Sequence, residues 1–91
     1  MEKRFFSIYQ EEHSSFFGSI IDGRLSLEYD LDGDGSYPDT EEHFSFTKED
    51  TAKLFSIISP DDFIELCRSQ HPSGMKRFLE EHDIHPKTFV W

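Results

Sequence analysis

Ninety-one residues make one domain, 1–91, with room for a single modest core. A hydrophobic fraction of 35% with ten Phe, three Tyr and a Trp argues against a disordered chain, which at this charge would be poor in aromatics. The net charge of −10 creates a field that repels phosphate backbones and anionic membranes and attracts cations and basic protein patches, so neither direct nucleic-acid binding nor membrane binding is expected.

Lys3 to Gln10, KRFFSIYQ, is aromatic and β-branched enough for a strand, and the polar EEHS closes it. Phe16, Phe17, Ile20 and Ile21 lead into Asp22-Gly23, after which Leu25, Leu27, Tyr29 and Leu31 alternate with Ser26, Glu28 and Asp30. Asp-Gly between such runs predicts a hairpin, because both turn residues must accept positive φ. Phe44 and Phe46 then alternate with His43 and Ser45, the period of a fourth strand antiparallel to the third.

Thr47-Lys48-Glu49-Asp50 reads as a capping box with Asp in place of Glu or Gln, and Ala52, Leu54, Phe55 and Ile58 follow at helical spacing. Ser59-Pro60-Asp61-Asp62 starts a second helix, with Ser as N-cap, Pro at the first position and carboxylates against the positive end of the dipole. His71-Pro72-Ser73-Gly74 is expected to break it, leaving a third short helix around Met75, Phe78 and Leu79, and Lys87 to Trp91 is expected to return to the sheet. The predicted fold is α+β, an antiparallel meander of four to five strands with three short helices on one face. The adjacent pairs Phe5-Phe6, Phe16-Phe17 and Ile20-Ile21 predict that the first two strands are buried on both faces, the second face meeting a wrapped segment of this chain, a copy of it or a partner.

The acidity is concentrated. Residues 1–46 hold eleven acids against three bases, and the stretch 28–42, EYDLDGDGSYPDTEE, holds seven acids and no base. Asp30, Asp32, Asp34, Gly35 and Glu41 fill the fixed positions of the EF-hand calcium-loop pattern, in which carboxylates two apart converge on a hard cation, Ser36 adds a carbonyl and Glu41 closes the oxygen shell. An EF-hand needs helices on both sides, whereas IIDGRLSLEY before the loop and HFSF after it have a period of two. The competing reading is a Gly- and Asp-rich hairpin connection.

Other chemistry has less in the sequence. Cys67, His71, His82 and His85 have zinc-ligand chemistry but lack paired-cysteine spacing, and helix packing and helix ends account for them. There is no Gly-rich phosphate loop, nucleophile elbow or H-E-x-x-H motif, so an enzyme is not expected. The single cysteine cannot form an internal disulfide, and MEKRFFSIYQEEH has no signal-peptide core or membrane span, which makes the cytoplasm the expected compartment.

In size, acidity and lack of a catalytic motif, with its acidic stretch, the chain resembles the small bacterial immunity proteins that neutralise toxins, many of them nucleases, and acidic nuclease inhibitors. The resemblance is one of class. It implies a non-enzymatic binding protein without a cofactor, docking an acidic face on a basic partner such as a toxin, and it transfers no residue roles. On the residues themselves, the expected docking face is Glu28, Tyr29, Asp30, Asp32, Asp34, Tyr37, Asp39, Glu41 and Glu42, with Tyr29 and Tyr37 as aromatic anchors. The alternatives are a calcium module using Asp30, Asp32, Asp34, Ser36 and Glu41, and a homodimeric structural or regulatory protein.

Overall fold

The computed structural model describes residues 3–31 and 40–90. Five antiparallel strands run in chain order across one sheet, β1 (Lys3–Gln10), β2 (Ser14–Ile21), β3 (Arg24–Leu31), β4 (Thr40–Ser45) and β5 (Lys87–Val90). Asp22 and Gly23 join β2 to β3 with φ of 52° and 78°, the positive values that a two-residue type I′ turn demands. β5 pairs with β4 and not with β1, so β1 and β5 are the two edges.

Two helices pack on one face of this sheet, α1 (Lys48–Ile57) and α2 (Pro60–Glu81). This corrects the expectation of three short helices. α1 is capped by Thr47, whose hydroxyl accepts from the Asp50 N–H at 3.0 Å, and α2 by Ser59, which accepts from the Asp62 N–H at 3.2 Å. The interruption read from His71-Pro72 exists but is confined to one residue: His71 has φ 61° and ψ −177°, and the helix resumes at Pro72. Proline lacks the N–H that the preceding turn would have used, yet it is well placed to begin a new turn. Pro72, Gly74 and Met75 are all buried, which holds the second half of α2 on the same sheet as the first. A Cβ on Gly74 would run into the Gln70 side chain, so the tightened turn across the kink requires glycine there.

The core is a layer of Ile8, Phe16, Leu25, Leu27 and Phe44 from the strands and Leu54, Phe63, Cys67, Met75 and Leu79 from the helices, closed by Phe46 and Ile84. Two polar contacts fix the helices on it. Buried Thr51 of α1 accepts the Leu25 N–H at 3.0 Å and donates to the Thr47 carbonyl at 2.8 Å. The β1–β2 register slips between Ser7 and Tyr9, a bulge that leaves the Ile8 carbonyl off the ladder, and Arg68 of α2 donates to it from Nε at 2.9 Å. Burial pushes the Cys67 thiol up to about 12, as fits a packed thiol. Among the described residues no helix is long and apolar enough to cross a membrane.

Candidate functional site: the uncovered face of the sheet

Strand alternation sends every second residue of the sheet away from the helices. The cross-strand pairs arrange those residues in rows. One row runs Ser7, Phe17, Glu28, His43, Phe89 from β1 to β5; the next runs Phe5, Ser19, Ser26, Ser45, Lys87; a shorter one towards the β3–β4 connection runs Ser15, Asp30, Glu41. Among the described residues no helix covers this face. Phe5 is 72% exposed, Phe89 47% and Phe17 38%, whereas their sequence neighbours Phe6 and Phe16 pack into the helix-side core. The burial on both faces expected of β1 and β2 is therefore corrected: the apolar pattern is present, but within this chain its outer half meets solvent.

At the centre of the face sits a group of four ionisable side chains. His43 Nε2 lies 3.1 Å from Glu28 Oε1 and 3.3 Å from Glu41 Oε2. Asp30, directly opposite Glu41 across the β3–β4 ladder, adds a third carboxylate, and its Oδ1 is buried with no hydrogen-bond partner. Burial, then the charge of Asp30, hold the Glu28 carboxyl above its ordinary pKa against the opposing pull of His43. Two carboxylates thus share one imidazole, with a third beside them. Among the described residues no Lys or Arg forms an ion pair with Glu28, Asp30 or Glu41.

Beside this group is a groove of about 160 Å³ lined by Phe5, Phe17, Ser19, Ser26, Glu28 and His43, with Gly18 and Leu27 in its floor. The row of serines next to the taller Phe17–Glu28–His43 row creates the depression. A Cβ on Gly18 would come within 2.8 Å of the Ser26 carbonyl and 2.7 Å of Leu27, so glycine lets the strands and Phe6 close beneath it.

The residues read from the sequence as a docking face divide between the two sides of the sheet. Glu28, Asp30 and Glu41 come together on the open face. Tyr29 and Glu42, paired with each other across the ladder, turn to the helix side, where Tyr29 packs edge-on against Phe16 at 5.9 Å and Glu42 pairs with Lys76 at 2.8 Å. Asp32, Asp34, Ser36, Tyr37 and Asp39 lie outside the described residues, so of the calcium-loop positions only Asp30 and Glu41 are placed, at the ends of two strands. Among the described residues no group of three or more His, Cys, Asp or Glu is arranged to hold a metal. The docking face read from the sequence does not include His43 or Phe89, and Phe5 and Phe17 enter that reading only as part of a second apolar face on β1 and β2. The signal for His43 was its place in the alternation Glu41, His43, Ser45, and for Phe5 and Phe17 their membership of the adjacent aromatic pairs. Comparison of the chain with protein-family models, curated proteins and solved structures found no match.

Proposed function

We propose that the chain is a non-enzymatic protein-binding module, and that the uncovered sheet face docks on a basic protein surface. The observation that carries the reading is the composition of that face: exposed Phe5, Phe17 and Phe89 around a carboxylate cluster with one imidazole among three acids. Aromatic side chains supply area at low entropic cost, and partly desolvated carboxylates choose the partner and raise the association rate. The net charge of −10 acts in the same direction at long range. A toxin of the nuclease type, whose phosphate-binding cleft is basic, has the complementary surface, and neutralising one by occlusion requires no catalytic group on this side.

The test is capture from the host lysate on immobilised wild-type protein and on the Asp30→Lys/Glu41→Lys variant, at low and high salt, with and without chelator. The expected result is a basic protein retained by wild type, released by salt, lost with the variant and indifferent to chelator. Retention by the charge-reversed variant would remove the reading, and capture abolished by chelator would replace it with the calcium module.

A further inference from the structure

We propose that the groove on the open face seats an arginine side chain of the partner, with Glu28 receiving the guanidinium and the rings of Phe5 and Phe17 forming its walls. The inference rests on the docking reading above and names the chemistry of its central contact.

The groove joins an aromatic wall to a carboxylate end, a pairing that few side chains satisfy at once. An apolar side chain would fill the walls but bury Glu28 further with no partner beyond His43, which is costly for a charged group. An anion would meet the Glu28 carboxylate in the groove, with those of Asp30 and Glu41 further along the same face. Lysine brings the right charge as a compact, strongly hydrated ammonium, which gains least from leaving water for a ring face. A guanidinium is flat, weakly hydrated, stacks on aromatic faces and presents a fork of donors matched to a carboxylate.

Charge balance points the same way. Glu28 and Glu41 share a single imidazole, Asp30 stands opposite Glu41 with its Oδ1 atom unpartnered, and no Lys or Arg of the described residues pairs with any of the three. One incoming cation lowers this mutual repulsion. The small side chains Ser19 and Ser26, paired across β2 and β3, leave the trough open beside Glu28, and their hydroxyls can accept from the N–H groups that Glu28 does not take. His43, within 3.1 Å of Glu28 Oε1, holds that carboxylate in place.

The experiment is an NMR titration of the full chain with N-acetyl-arginine amide and, separately, N-acetyl-lysine amide. The expected result is amide shift changes at residues 17–19, 26–28 and 43, and an arginine response several-fold stronger than that to lysine. Glu28→Gln should weaken the arginine response about tenfold. Phe17→Leu, which keeps an apolar side chain but removes the ring face, should weaken it by a smaller factor while leaving the dispersed spectrum intact. Equal responses to arginine and lysine, shifts centred on residues 32–39, an unchanged response in Glu28→Gln, or no response would each overturn the assignment. So would a concentration-dependent rise in solution mass that arginine amide does not reverse, since a second copy would then occupy the groove. The two proposals fail separately: partner capture that survives Glu28→Gln but not Asp30→Lys/Glu41→Lys removes the arginine seat and leaves the docking face.

Discussion

The two faces of the sheet are built from the same strands and follow opposite rules. On the helix side, groups find partners: Thr51 bonds the Leu25 N–H, Arg68 takes the Ile8 carbonyl freed by the bulge, Lys76 neutralises Glu42 and lies over the Phe44 ring at 5.6 Å. On the open side three phenyl rings meet water and two carboxylates crowd one histidine, with Asp30 opposite one of them. Local choices that agree with one another specify a fold, and places where they conflict are expected at functional sites. Phe16 and Phe17, adjacent in sequence, stand on opposite sides of this division.

The comparison can be broken by substitution. Phe16 is fully buried, and Phe16→Ala should cost about 3–5 kcal/mol of unfolding free energy, against less than about 1 kcal/mol for Phe17→Ala. Urea denaturation of the two variants reads the difference, and equal losses would mean that the open face is part of the core. Gly18→Ala drives a methyl against Leu27, Phe6 and the Ser26 carbonyl and should cost about 1–3 kcal/mol by overpacking, read as a lower urea midpoint. Arg68→Ala leaves the bulge carbonyl of Ile8 without its donor, a loss of about 1 kcal/mol on the same measurement.

The smallest effect has the most informative sign. Because Glu28 holds its proton more tightly in the fold than in the unfolded chain, the stability linked to it is fully present below its ordinary carboxylate pKa. That contribution is lost as pH rises through the raised value. At pH 7 its charge works against folding, so Glu28→Gln should melt no lower than wild type. Any gain should shrink as the pH falls below about 4.5, the unperturbed value. Melting curves from pH 3 to pH 7 test this, and a large loss at pH 7 would assign Glu28 a structural role.

Much of the fold was legible because the signals were local. The Asp22-Gly23 turn, the alternation in β3, and the Thr47 and Ser59 caps each depend on a few neighbouring residues, and all appear in the structure. The kink at His71-Pro72 was also legible, but its consequence was not. Whether two helical segments diverge or continue as one element depends on what lies beneath them, here the burial of Pro72, Gly74 and Met75 on the sheet. The candidate site was harder to read for the same reason. A run of acids in sequence is split by a period of two, so Tyr29 and Glu42 leave for the helix side, while Phe5, Phe17 and Phe89 arrive from β1, β2 and β5 to join His43 of β4 through pairing registers that are not local.

The central claim is that the open face serves binding at little benefit to folding, and the Phe5→Ser/Phe17→Ser double variant tests it most directly. Its urea midpoint and its retention of the basic partner should be measured on the same preparation. A midpoint close to wild type with retention lost is the predicted result; a collapsed midpoint, or a stable variant that still retains the partner, would contradict it.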